Sequence, residues 1–255
     1  MIDAHIHLDD SRFDKDRSNL MNQARKIGVE GFVVPSVGVW NFEKVNLLAS
    51  SNKDVFAAFG LHPYFIDKHE PEDLSLLESW LDDEPCVALG ECGLDFYLKE
   101  LDKNKQIEFF VAQIELAKKY NLPLILHARG AVEEVFNSLK KVDYFNATIH
   151  SYNGSIQQTK KLIDRGVVFS FGGAICNPRA KKIHELIKYI PPKHLMFETD
   201  APDQNLYPDH KLRNTPTNLL KVIEAYSRIT KSDIELAMIN SREVTQNFFK
   251  LSSIK

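Results

Sequence analysis

Eight short apolar runs, alternating with longer stretches, set the strongest constraint on what this chain can fold into. The runs are Ile2 to Leu8, Gly31 to Pro35, Val55 to Gly60, Cys86 to Gly90, Pro123 to Leu126, Ala147 to Ile149, Val167 to Phe171 and Leu195 to Phe197. They read as strands. The stretches between them carry helical period. The clearest covers Lys103 to Tyr120, where Ile107, Phe110, Val111, Ile114 and Ala117 share one face and Asn121 and Pro123 end it. Weaker patterns cover Ser18 to Ile27, Leu74 to Leu81, Val132 to Leu139, Ile156 to Asp164 and Arg179 to Ile190. Three more follow the last run, over Thr217 to Arg228, Ser232 to Asn240 and Arg242 to Leu251. Buried strands alternating with helices predict a parallel sheet. Eight such units in 255 residues predict one α/β domain over 1–255, a closed (β/α)8 TIM barrel. A doubly wound open sheet is the alternative. A nucleotide-binding one usually has a glycine-rich turn after its first strand, whereas the first run here ends His-Ile-His-Leu-Asp.

Composition narrows the setting. No apolar run reaches about 18 residues, so no transmembrane helix is expected. Met1-Ile2-Asp3-Ala4-His5 lacks the basic start and apolar stretch of a signal peptide, and a cytoplasmic protein is expected. Cys86, Cys92 and Cys176 include no CxxC pair, which suits reduced thiols, with Cys92 beside Glu91 open as a catalytic thiol. A net charge of −3 excludes bulk electrostatic binding of long duplex DNA. It leaves an anionic substrate open, because bound cations lie outside that count.

The polar residues at the ends of these runs carry the chemistry. His5 and His7 close the first, His62 follows the third, Glu91 the fourth, His127 the fifth, His150 the sixth and Asp200 the eighth. All lie at carboxyl ends, where barrel enzymes build their sites. His5 and His7, one residue apart, share a face of an extended strand. Alone, a His-x-His is weak evidence of anything but a polar strand end. Joined by Glu91, His127, His150 and Asp200 on one rim, it predicts a metal site, because buried imidazoles and carboxylates are costly without a cation to pair them. Imidazole nitrogen with carboxylate oxygen suits Zn²⁺, Mn²⁺ or Fe. Six ligands exceed one four-coordinate zinc but suffice for two ions about 3.5–4 Å apart, with Glu91 as bridge. His5, His7 and Asp200 complete one ion, and His127 and His150 the other. Asp200 also stands as general base for a metal-activated water.

The motifs Asp3-Ala4-His5-Ile6-His7-Leu8, Gly60-Leu61-His62-Pro63, Gly90-Glu91-Cys92-Gly93-Leu94-Asp95-Phe96-Tyr97, Leu126-His127-Ala128-Arg129, His150-Ser151-Tyr152-Asn153-Gly154 and Glu198-Thr199-Asp200-Ala201-Pro202 follow one another from end to end. In that order the chain resembles the TatD-type metal-dependent deoxyribonucleases, among the amidohydrolase-like barrels. The resemblance implies the same ligand set, two divalent ions (Zn, Mn or Mg), and hydrolysis of DNA phosphodiesters, single-stranded or at strand ends. It implies His62 as a phosphate contact and Arg129 as a second substrate-binding residue. A rim salt bridge is the alternative for Arg129. Tyr64, Gly130 and Thr215 depart from the family's second histidine in GxHPH, its aspartate in HxRD and the glutamate of its NEP.

A small-molecule amidohydrolase or esterase, such as a deacetylase or lactonase, is the alternative on the same barrel, and a metal-stabilised scaffold is a third reading. Related barrels often bridge their metals with a carboxylated lysine, and Glu91 at that strand favours the nuclease-like branch. Lys211 and Arg213 are the best loop cations for a nucleic-acid strand. His184 and His194 read as packing or surface residues, and His69 and His210 as loop residues on the active-site side. The chain is expected to be a monomer or weak oligomer.

Overall fold

Eight parallel strands pair in chain order, β1 (Ile2–Asp3), β2 (Gly31–Pro35), β3 (Val55–Phe59), β4 (Ala88–Asp95), β5 (Leu124–Arg129), β6 (Ala147–Ile149), β7 (Val168–Phe171) and β8 (Leu195–Phe197). The computed structural model describes residues 1–251. Bonds from Ala4 N–H to the Phe197 carbonyl (3.0 Å) and from Asp200 N–H to the His5 carbonyl (2.9 Å) bring the first and last strands together. The chain is a (β/α)8 TIM barrel.

Helices α1 (Arg17–Lys26), α2 (Phe42–Ser51), α3 (Pro71–Asp83), α4 (Lys103–Tyr120), α5 (Val132–Val142), α6 (Ile156–Ile163), α7 (Lys181–Tyr189), α8 (Leu219–Thr230) and α9 (Ile234–Phe248) accompany the strands. Two differ from the sequence expectation. α2 carries no marked pattern, because only Phe42 and Val45 of its segment are buried, while the apolar Leu47 is exposed. The last two patterns are one helix, α9, which continues through Ser241 and Arg242 because Ser241 and Thr245 are buried on its inner face. No helix among the described residues is long and apolar enough to cross a membrane.

The strands bury both faces. Ile2, Val33, Ala58, Ala88, Ile125, Val168 and Met196 fill the barrel with Phe249 and Leu251. Their strand neighbours, such as Phe32, Val34, Phe59, Leu124, Leu126 and Phe197, pack outward under the helices. The period of two then fixes what each strand presents above the core. Ile125 leads to His127, Met196 to Glu198 and Asp200, and Ala58 to Gly60 and His62.

Two strands break that rule, and both breaks serve the site. The ladder of β1 stops at Asp3, not Leu8, and the chain bends at Ala4 and His5. Ile6 and Leu8 join the outer cluster, so His5 and His7 face the barrel mouth instead. In β4 the register shifts between Leu89 and Cys92. Cys92 and Leu94 turn outward, and Glu91 faces inward from within the strand rather than after it. Glycines permit the shift. A Cβ on Gly60 would stand 2.6 Å from the backbone of Gly90, and one on Gly93, at φ +126°, would overlap the His127 carbonyl oxygen. Gly93→Ala is therefore expected to cost about 1–3 kcal/mol or more. Chemical denaturation would show this as a lowered midpoint, and an unchanged midpoint would refute the close approach.

Candidate metal centre

Glu91 is the hub of the mouth. Its backbone N–H donates to the Ser36 carbonyl (2.9 Å), which hangs the bulged residue from β2's end. Its side chain is 1% exposed. One carboxylate oxygen, Oε2, lies 3.1 Å from His5 Nε2 and 3.4 Å from His7 Nε2. The other, Oε1, lies 2.8 Å from His62 Nε2, 3.3 Å from His127 Nδ1 and 2.9 Å from His150 Nε2. Asp200 Oδ1 stands 3.6 Å from both His5 Nε2 and His7 Nε2. All eight residues expected at the site, His5, His7, His62, Glu91, His127, Arg129, His150 and Asp200, line this one mouth or its floor.

Neighbouring groups aim these side chains. Asp3 accepts from Thr199 N–H (2.9 Å), from the Thr199 hydroxyl (2.6 Å) and from His5 N–H (3.4 Å), so it latches the segment carrying His5 to the one carrying Asp200. Asp200 has φ +53°, a left-handed conformation that aspartate tolerates better than most residues. Its Oδ2 accepts from Gln204 Nε2 at 2.5 Å, which leaves Oδ1 to the histidines. Asp95 Oδ2 is 3.1 Å from His127 Nε2. Glu198 accepts from Ser151 N–H (2.7 Å) and from the Ser170 hydroxyl, and stands 3.6 Å from His150 Nδ1. His62 Nδ1 accepts from Tyr64 N–H (3.0 Å), so Nε2 carries the proton. That nitrogen is then a donor, in keeping with a substrate contact rather than a metal ligand.

Asp3, Asp95, Glu198 and Gln204 are missing from the sequence-derived site. One signal was available for the carboxylates. A metal-bound histidine usually gives its second N–H to a carboxylate or carbonyl. His127 and His150 therefore call for more acids at neighbouring strand ends, where Asp95 and Glu198 stand. Gln204 follows no strand period and had no such signal.

Burial and charge act in opposite directions here. Burial penalises charge on Glu91, but His62, His150 and His5 more than offset it and hold the carboxyl well below its usual value. Burial disfavours the His7 imidazolium, yet the hydrogen bond and charge of Glu91, with Asp200, lift it to about 9. Burial likewise opposes protonation of His150, and Glu91 and Glu198 raise it well above the ordinary value. At His62 burial wins and lowers it to about 4. Burial also raises Asp200, against the pull of His150, His5 and His7.

These donors fit a divalent cation. His5 Nε2 and His7 Nε2 face each other at 3.3 Å, and His127 Nδ1 and His150 Nε2 at 3.2 Å. Lone pairs that converge this way need a shared proton or a cation between them. Three sets, His5-His7-Asp200, His5-His150-Glu198 and His62-Glu91-His127, each bring their ligand atoms within 4.8 Å of one another. Imidazole and carboxylate together suit a first-row divalent metal.

The described residues agree with one family along their length. The family model of TatD related DNases matches residues 2–251. The chain belongs to this family. It is 32% identical to the uncharacterized metal-dependent hydrolase YjjV of Escherichia coli K12, covering 94% of this chain and 95% of YjjV. It is 29% identical to the 3'-5' ssDNA/RNA exonuclease TatD of Salmonella typhimurium, covering 88% of this chain and 89% of that enzyme. The crystal structure of the TatD homolog YjjV from E. coli superposes with a TM-score of 0.95 at 31% identity, over 99% of this chain and 98% of that one.

The remaining candidates resolve simply. Cys92 is fully buried, and burial with the Glu91 charge pushes its thiol well above the usual value, so it is no thiolate nucleophile. His184 and His194 each bond a backbone carbonyl, of Ile175 and Val167. His69 is buried behind His62, bonded to its carbonyl at 3.1 Å. Arg213 holds Asp16 with both terminal nitrogens, at 3.0 and 2.5 Å, so it braces a loop and offers little to a ligand. Arg129 is half-exposed, 3.9 Å from Asp95 Oδ2.

Proposed function

We propose that this TatD-family hydrolase cleaves phosphodiester bonds in single-stranded DNA or at strand ends, using two divalent cations held around Glu91. The observation that carries the reading is the division of the Glu91 carboxylate, one oxygen turned to His5 and His7 and the other to His127 and His150. Asp200 completes the first set. Zn²⁺, Mn²⁺ or Mg²⁺, when bound there, would lower the pKa of a water and offset charge on the phosphate oxygens.

The chain's own groups divide the remaining work. Asp200, raised by burial, is suited to take the proton of the attacking water. Gln204 holds the oxygen that Asp200 does not use. His62, neutral, offers Nε2–H to a phosphate oxygen once Glu91 is otherwise engaged. The guanidinium of Arg129 has no hydrogen-bond partner among the described residues and can bind a second oxygen.

Labelled single-stranded DNA is expected to release nucleotides with Mg²⁺, Mn²⁺ or Zn²⁺, and chelator is expected to stop the release. Failure with all three metals, together with turnover of an acyl or amide panel, would replace this reading with that of a small-molecule amidohydrolase.

A further inference from the structure

Three residues outside the metal cluster stand in a regular relation to it. Tyr64, Tyr97 and Arg129 each lie two residues beyond a member of the cluster or its support, His62, Asp95 and His127. His127 touches the other two. The His62 and His127 rings are 4.6 Å apart, and His127 bonds Asp95 at 3.1 Å. Tyr64 and Arg129 line the mouth beside His62 and His127, and Tyr97 backs Arg129. Tyr64 is 52% and Tyr97 63% exposed, so each ring keeps surface open to a ligand. Phe65 supports Tyr64 edge-on at 4.9 Å. Arg129 rests its guanidinium over the Tyr97 ring, 3.9 Å from the centroid.

The opposite wall differs in kind. The loops after β1 and β8 bring Asp9, Asp10 and Asp203 to the mouth, with Arg12 among them. Arg12 is consumed by Asp10 and Asp203, in bonds of 2.7–3.0 Å. A polyanion leaving the cluster is repelled on that side and attracted on the Arg129 side.

We propose that Tyr64 and the Arg129–Tyr97 stack form a stacking subsite for one unpaired nucleobase of a single-stranded DNA end, next to the phosphate held at the cluster. Aromatic rings and guanidinium planes both take bases face to face, without demanding a particular base. Tyr64 adds a link that an ordinary surface ring lacks. Its backbone N–H fixes the tautomer of His62 while its ring meets the base, so base and phosphate are gripped by one turn of chain. A paired base cannot enter such a stack without leaving its partner, which makes strand ends the favoured substrate. The subsite rests on the nuclease reading given above.

The test compares wild type, Tyr64→Ala, Tyr97→Ala and Tyr64→Phe on oligonucleotides with normal or abasic nucleotides at each end in turn. Both alanine variants are expected to raise KM for normal ends by about 5- to 100-fold, with kcat changed less, and Tyr64→Phe to stay near wild type. On abasic ends the wild-type KM is expected to rise towards that of the variants, closing the gap. An unchanged KM in both alanine variants, or the same gap on abasic ends, overturns the subsite. If wild type cleaves neither substrate, the nuclease reading falls separately. Fluorescence anisotropy of labelled oligonucleotides then decides the subsite alone, and equal Kd for normal and abasic strands overturns it.

Discussion

Asp200→Asn is expected to lower kcat on single-stranded DNA by about 10²- to 10⁴-fold, the usual share of a positioned general base. Asparagine keeps the size of the side chain and accepts the left-handed backbone that Asp200 adopts, so the fold should persist. What it loses is an oxygen. Asp200 uses one for Gln204, at 2.5 Å, and turns the other towards His5 and His7. Asparagine has one carbonyl oxygen for two places. If that oxygen faces Gln204, an NH2 group points at the cation site and repels it. If it faces the histidines, the NH2 meets the Gln204 donor. Either way the water also loses its proton acceptor. Steady-state kinetics with Mn²⁺ in excess would measure the effect, and a kcat within tenfold of wild type would refute the assignment.

Much of this was legible in the sequence, and the exceptions share one cause. Eight strand runs and their order sufficed for the barrel, because buried parallel strands are short, apolar and set off by longer helical stretches. The donors on β5, β6 and β8 were also legible, since His127, His150 and Asp200 stand at even spacing from Ile125, Thr148 and Met196. His5, His7 and Glu91 face the mouth for a reason that alternation does not supply. Strict alternation from Ile2 and Ala4 would have turned His5 and His7 outward, and from Ala88 it would have turned Glu91 outward. The bend after Asp3 and the shifted register of β4 reverse them. Such reversals depend on contacts across strands, Gly60 against Gly90 and Gly93 against His127, which no local pattern reports. Gln204 lay beyond reach for a related reason. It is brought to Asp200 by a loop whose path follows from the Arg12–Asp203 and Arg213–Asp16 pairs rather than from any period.

The loop cations show the same limit from the other side. Lys211 and Arg213 looked like the natural basic group for a nucleic-acid strand, because charge can be counted in a sequence and partners cannot. Arg213 is paired with Asp16 at 2.5 Å, whereas Arg129, in a motif of its own on the far wall, comes only within 3.9 Å of a carboxylate, that of Asp95. The electrostatic polarity of the mouth is thus set by which cations are already spent on carboxylates.

Glu91→Ala should have the second large effect, on metal and on stability at once. Elemental analysis is expected to show loss of bound metal, since the residue facing both histidine sets is gone. The metal-free protein is expected to suffer too. Glu91 is the buried anion against which His7, His127 and His150 are raised. Removing one partner of a buried charge network costs about 3–5 kcal/mol. The loss should depend on pH with a definite sign. His7 is lifted from 6.5 to about 9, so its share of the stability is fully present below about 6.5 and is lost as pH rises through about 9. Glu91 is lowered, so its share is present above its ordinary 4.5 and is lost as pH falls below that. In chelator, the gap in unfolding free energy between wild type and Glu91→Ala is therefore expected to be widest between about pH 4.5 and 6.5 and to narrow on both sides. A gap independent of pH would mean that Glu91 acts there by packing alone, and unchanged metal stoichiometry in the variant would remove it from the centre altogether.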